Sequence, residues 1–160
     1  MGIADLDSAL SDTERVFLDS SALIAFHSQA EPIHLLAQHL LGRIERDIDP
    51  LRGYYSVISA SELLIRPIRT SAASFTFMHT FLLNFPNLTA LAVDMQVAVQ
   101  AATIRATTGI RLPDALVIAS GLLAGCEAIV SNDEQWQRRL APLFREFRWI
   151  YLGDYLDAPT

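Results

Sequence analysis

Residues Leu112–Trp136 read LPDALVIASGLLAGCEAIVSNDEQW, and this stretch decides the fold. Pro113 suits the first helical position, because its missing N–H would be unpaired there and its fixed φ is helix-compatible. Asp114 then falls in the first turn, where the helix dipole favours a carboxylate. Ala115 to Ala124 is apolar on every side except Ser120, which predicts a helix enclosed in a core. Gly125 closes it. Ala128 to Val130 reads as a short strand buried on both faces, the pattern of a parallel sheet. Asp133 follows at once, so the stretch encodes helix, buried strand and helix, with a carboxylate at the start of each helix. In open parallel sheets ligands bind in the crevice beyond the carboxyl ends of the strands. Acids placed just past strand ends are therefore candidates to converge.

The flanking sequence repeats the alternation. Arg15 to Leu18 has the content of a short strand, and Asp19-Ser20-Ser21 signals a helix start for Ala22 to Ser28. Glu31 to Arg46 places Ile33, Leu36, Ala37, Leu40, Leu41 and Ile44 at helical spacing. His34 and His39, five apart, fall on different faces of it, which argues against a shared metal. After a polar connection from Asp47 to Gly53, Tyr54 to Ile58 is the second strand. Ser59-Ala60-Ser61-Glu62 opens the next helix, which Pro67 interrupts. Ser71 to Phe85 is a longer helix with Phe75, Met78, Leu82 and Phe85 on one stripe, widened by Phe77 and Phe81. So broad an aromatic face reads equally as dense core or as partner contact, and with the apolar composition it predicts a homodimer or a complex with a partner helix. Leu88 to Val93 is the third strand, Asp94 starts the helix Met95 to Thr107, and Gly109 breaks it. Glu134 to Leu140 is a short helix, and Arg148 to Leu152 the last strand. The prediction is a three-layer α/β/α sandwich with a mainly parallel sheet of about five strands.

At 160 residues the chain has the size of one domain. Residues 1–14 read as a flexible, loose or late-docking N-terminal tail, with the domain over residues 15–156. The tail carries acids where a secretory signal has a basic region, so it is not one. Hydrophobic residues make up 51%, yet no apolar run has the roughly eighteen residues a membrane span needs. The single cysteine, Cys126, excludes an internal disulfide and suits a reducing, cytoplasmic compartment. Net charge is −6, so any grip on nucleic acid must be local. All 12 basic residues are arginines, suited to bidentate phosphate contacts although base composition produces the same bias.

Asp19, Glu62, Asp114 and Asp133 each have a structural explanation. Asp19 fits an N-cap, Glu62 the fourth member of a Ser59-x-x-Glu62 capping box, Asp114 a first-turn carboxylate, and Asp133 a place in the capping-box spacing from Ser131 to Glu134. The combination changes the balance. Four carboxylates around one crevice repel one another without a cation, which raises the pKa of at least one. Hard divalent cations take oxygen ligands, and two-metal chemistry activates a water and stabilises the leaving oxygen in phosphodiester cleavage. No glycine-rich phosphate loop appears, and no strand-end Ser or Cys has an evident His partner.

VFLDSSALIAF (Val16–Phe26), SASELL (Ser59–Leu64), LPDALVIASGLLAG (Leu112–Gly125) and IVSNDEQW (Ile129–Trp136), in this order, resemble the motifs of PIN-domain ribonucleases, in particular bacterial VapC-type toxins. The resemblance runs from about Arg15 to Leu152 and implies a Mg²⁺- or Mn²⁺-dependent endoribonuclease acting on RNA. Asp19, Glu62, Asp114 and Asp133 match the family's acidic quartet. Asp19 and Asp114 would touch metal most directly, with Glu62 and Asp133 holding metal-bound waters or a second ion. Ser131, where many relatives have Thr, matches the hydroxyl residue that helps arrange the site. Arg66, Arg69 and Arg111 are candidates for phosphate contacts. The absence of lysine is a departure in how RNA is held. The resemblance further implies a small antitoxin encoded beside the toxin, its C-terminal segment lying in the groove near the acids. The alternatives are a housekeeping RNA-processing nuclease and a PIN-like nucleic-acid-binding or assembly module with little activity. The intact quartet favours an enzyme.

Overall fold

Val16, Phe17 and Leu18 are fully buried because their strand lies at the centre of a five-stranded parallel sheet. The computed structural model describes residues 2–46 and 49–156. The strands are β1 (Arg15–Leu18), β2 (Arg52–Ser56), β3 (Leu88–Leu91), β4 (Ala128–Ser131) and β5 (Arg148–Tyr151), in the order β3-β2-β1-β4-β5. Every neighbouring pair is parallel; Phe17 lies beside Tyr54 on one side and Ile129 on the other. Helices α1 (Ile3–Ala9), α2 (Ser20–His27), α3 (His34–Glu45), α4 (Val57–Thr70), α5 (Ala72–Asn84), α6 (Met95–Thr108), α7 (Leu112–Leu123) and α8 (Glu134–Arg139) complete the described residues, with a 3₁₀ turn at Leu152–Tyr155.

Successive strand residues point to opposite faces, and two cores result. Val16, Leu18, Ala128, Val130 and Ile150 pack with leucines and alanines of α1, α2 and α3 and with Leu63, Met78 and Leu82. Phe17 and Ile129 pack on the other face with Val97, Ala101, Ile118, Trp136 and Phe147. Both faces are covered, which gives the three-layer sandwich expected from the alternating pattern. Gly121 lets α7 lie close to the sheet, since a Cβ there would stand 3.1 Å from the rings of both Phe17 and Phe147. Cys126 is buried in this second core, and burial pushes its thiol up to about 12, so it stays protonated. No helix among the described residues is long and apolar enough to cross a membrane.

The strand order positions the site. From β1 the chain moves outward through β2 to β3, then returns to the other side of β1 for β4 and β5. Connections from β1 and β4 therefore leave in opposite directions, and a crevice opens between their carboxyl ends.

Several boundaries differ from the sequence expectation. The segment expected as a flexible tail contains α1, with Leu6 and Leu10 at 0% and 1% exposure in the first core. Two leucines four apart give one short helix a single apolar edge. Arg148 Nη1 donates to Ala9 O at 2.6 Å, while Asp7 accepts from Arg43 at 3.0 Å. The connection expected from Asp47 to Gly53 falls partly at residues 47 and 48, outside the described residues. Beyond it, β2 starts at Arg52 and α4 at Val57, because Ser56 ends the strand and caps the helix, accepting from Ile58 N at 3.2 Å. Ser59 is consequently a buried residue inside α4, its hydroxyl without a partner among the described residues. The capping box with Glu62 does not form, and Glu62 projects, exposed, from the helix. Pro67 lies within α4, which continues to Thr70.

The aromatic helix α5 is divided. Met78 and Leu82 are buried, Phe81 and Phe85 pack partly against the same core, and Phe77 is 64% exposed.

Candidate active site

Asp19 extends the β1 ladder by one bond, its N–H donating to Val130 O at 3.0 Å, and stands at the N-cap position of α2. Its side chain does not cap. It accepts instead from the hydroxyls of Ser21 at 2.9 Å and Ser131 at 3.1 Å, both at Oδ2. Ser21 Oγ also accepts the N–H of Asn132 at 2.8 Å, and Ser131 Oγ that of Asp133 at 3.0 Å. Two hydroxyls thus stitch the end of β1 to the end of β4. In the sequence Ser21 is legible only as part of a helix-start signal; its position two residues after Asp19 is the feature that points to this role.

Asp19 is 6% exposed and forms no ion pair among the described residues. Burial pushes its carboxyl above the usual carboxylate value, and the hydroxyls of Ser21 and Ser131 pull it partly back. A raised carboxylate was expected, but its cause is desolvation, where the sequence pointed to repulsion among the acids.

Asp133 caps α8, its Oδ1 accepting from Gln135 N at 2.8 Å. Asp114, in the first turn of α7, is held by Arg111: Nε donates to Oδ2 at 2.9 Å and Nη2 to Oδ1 at 3.3 Å. Asp133 and Glu62 attract the same guanidinium from farther off. Arg111, Asp114, Asp133, Trp136 and Arg139 line one cleft of about 170 Å³. Arg139 had no distinguishing feature in the sequence.

Asp19 is thus linked to Asp133 through Ser131, while Arg111 pairs with Asp114 and is attracted from farther off by Asp133 and Glu62. Among the described residues no three acidic, histidine or cysteine side chains are gathered closely enough to hold one metal ion. The donors nevertheless suit a hard cation. They are carboxylates, and Asp19 is a buried one without a basic partner, the kind of group that pairing with a cation stabilises.

Beside this crevice a groove of about 860 Å³ runs between α2 and the α4–α5 pair, lined by Ile24, His27, Glu62, Arg66, Phe77 and Met78 among others. Arg69 does not line it. The His27 ring meets Phe26, Phe77 and Phe81 edge to face, with centroids 4.9, 5.7 and 4.3 Å away. Its buried Nε2 has no partner among the described residues, and burial pushes the imidazole down to about 4.

The model of the PIN domain matches residues 16–141. No curated protein sequence matches the chain. Among solved structures, VapBC2 from Rickettsia felis bound to a promoter DNA fragment is similar with a TM-score of 0.62 at 11% identity, over 86% of this chain and 98% of that one. Mycobacterium tuberculosis VapC20, a sarcin-ricin loop cleaving toxin, gives 0.61 at 15%, over 77% and 93%. A toxin-antitoxin complex from Klebsiella pneumoniae gives 0.60 at 17%, over 79% and 90%. At these identities the likeness is one of fold. The domain model spans most of the chain and takes in both strand ends that carry Asp19 and Asp133, and on that ground the chain belongs to the PIN domain family.

Proposed function

We propose that this protein is a Mg²⁺- or Mn²⁺-dependent endoribonuclease and the toxin of a toxin–antitoxin pair. The observation that carries the reading is the hydroxyl-bridged link from Asp19 through Ser131 to Asp133 at the sheet's switch point. Membership of the PIN domain family supports a nuclease. Asp19 and Asp114 would hold the cation, with Glu62 and Asp133 as further carboxylates of the site. A bound divalent ion supplies water activation and charge stabilisation at the leaving oxygen. Ser21 and Ser131 fix the rotamer of Asp19. Arg66 and Arg111 bring positive charge beside the acids, where a phosphate backbone must lie if an otherwise acidic protein is to hold RNA.

An antitoxin partner is supported by the fold likeness to VapBC and other toxin-antitoxin complexes. The groove beside Glu62 suits an amphipathic segment, with an apolar wall at Ile24, Phe77 and Met78 and charges at Glu62 and Arg66. RNA as the substrate accords with the fold likeness to a sarcin-ricin loop cleaving toxin. Exposed Ile65, Ile68 and Phe77 favour a homodimer as well. The setting in which such a pair acts is the cytoplasm.

The test is cleavage of single-stranded and stem-loop RNA by purified protein with Mg²⁺ or Mn²⁺. Cleavage should stop with EDTA and in Asp19→Asn. Undiminished cleavage by that variant, or cleavage in EDTA, sinks the metal mechanism.

A further inference from the structure

Arg111–Asp114 is the one ion pair among the described residues that involves any of Asp19, Glu62, Asp114 and Asp133, and it engages both carboxylate oxygens. We propose that Arg111 is a cationic clamp that occupies Asp114 in the metal-free protein and must release it before a divalent ion can bind there. The inference rests on the metal-binding reading above and adds to it a residue that competes with the ion.

Capping does not account for an arginine at this position. Arg111 is the N-cap of α7, and its side chain makes no capping hydrogen bond. Ser, Asp or Asn serve there, and a cation faces the positive end of the helix dipole. What the guanidinium does satisfy is the acidic cleft. It takes Asp114 in a two-pronged grip and is drawn by Asp133 and Glu62. A carboxylate with both oxygens accepting from a guanidinium presents neither to an ion at full strength, so the two cations exclude each other. The side chain of Arg111 is 78% exposed, so no packing locks it in place and its release requires only a rotation about the side-chain bonds. Once released, the group remains at the cleft mouth, where a substrate phosphate is a ready partner.

The grip is solvent-facing and hence modest, so its removal should change ion affinity several-fold. The experiment measures Mn²⁺ binding to the full chain by electron paramagnetic resonance of free Mn²⁺, without RNA. Arg111→Gln should bind Mn²⁺ about three- to tenfold more tightly than wild type. Arg111→Lys should fall between them, because an ammonium makes a point contact where the guanidinium makes a fork. Arg138→Gln removes the same charge from α8, where Arg138 pairs with Glu134, and should leave affinity within about twofold. Equal or weaker binding by Arg111→Gln overturns the clamp, and so does equal tightening by Arg138→Gln, which would reduce the effect to net charge. Mn²⁺ binding that Asp19→Asn abolishes, without tightening in Arg111→Gln, overturns the clamp and leaves the metal reading standing. Absence of Mn²⁺ binding in wild type and Arg111→Gln alike overturns both.

Discussion

The Ser131 hydroxyl donates to Asp19 Oδ2 at 3.1 Å while its own Oγ accepts the backbone N–H of Asp133 at 3.0 Å. A serine hydroxyl offers one donor and two acceptor positions, so one buried atom orients a carboxylate and fixes the turn that carries another. Ser131→Ala should destabilise the protein by about 1–3 kcal/mol, since it strands a part-buried N–H and takes a donor from a desolvated carboxylate. Ser131→Thr keeps the hydroxyl and should unfold close to wild type. Urea unfolding of the three proteins checks this, and an Ala variant as stable as wild type would show that the bridge is incidental.

Asp19 carries the electrostatic strain of the site. Its folded-state pKa lies above the ordinary carboxylate value because of burial. The folded protein therefore binds more protons than the unfolded chain as pH rises through that window, and stability declines across it and stays lower above it. Asp19→Asn, which cannot ionise, should melt higher than wild type in EDTA near about pH 7.5, with an advantage that shrinks toward about pH 4. Asp114 is not the residue to choose for this relief, because Arg111 already compensates its charge. A lower melting temperature for Asp19→Asn at both pH values would mean that the hydroxyl bonds outweigh desolvation.

The parallel sheet was legible because Val16–Leu18 and Ala128–Val130 are apolar on both faces, and only a strand covered by helices on both sides has that composition. The positions of Asp19 and Asp133 at strand ends were legible for the same reason. What each side chain does there was not, because one residue type at a helix start serves as a cap or turns into a crevice. Asp94 and Asp133 cap, accepting from Val97 N at 2.9 Å and Gln135 N at 2.8 Å, whereas Asp19 turns to the hydroxyls of Ser21 and Ser131. That difference depends on β4 lying beside β1, a contact across 112 residues of chain. The helix α1 escaped because its apolar edge is two leucines, too few for a periodic pattern.

The split of α5 between core and groove gives paired expectations. Leu82, at 4% exposure, is a core residue, and Leu82→Ala should destabilise by about 2–5 kcal/mol. Phe77, at 64% exposure, lines the groove, and Phe77→Ser should change stability by less than about 0.5 kcal/mol. If the groove receives an antitoxin segment, Phe77→Ser should weaken capture of the small protein encoded beside this one, whereas wild type retains it. Urea midpoints and co-purification read the two effects separately. Undiminished capture by Phe77→Ser would move the partner to another surface.

His27 supplies a pH dependence of the opposite sign to Asp19. Its ring is held among Phe26, Phe77 and Phe81, and burial pushes its pKa from 6.5 to about 4. Between those two values the unfolded chain takes up a proton that the folded protein refuses. Stability contributed by the neutral imidazole is therefore fully present above the unfolded value and is lost as pH falls toward about 4. Replacing His27 by Phe keeps a flat ring, removes the buried Nε2 that lacks a partner, and removes this titration. His27→Phe should match or exceed wild type near about pH 7.5, and its advantage should widen as pH is lowered to about 5. The contribution of Asp19 runs the other way but is common to both proteins and cancels in their difference. Urea midpoints of the two proteins across this range decide the matter: parallel curves would mean that His27 reaches solvent when protonated, and the aromatic cage would then be open on the groove side.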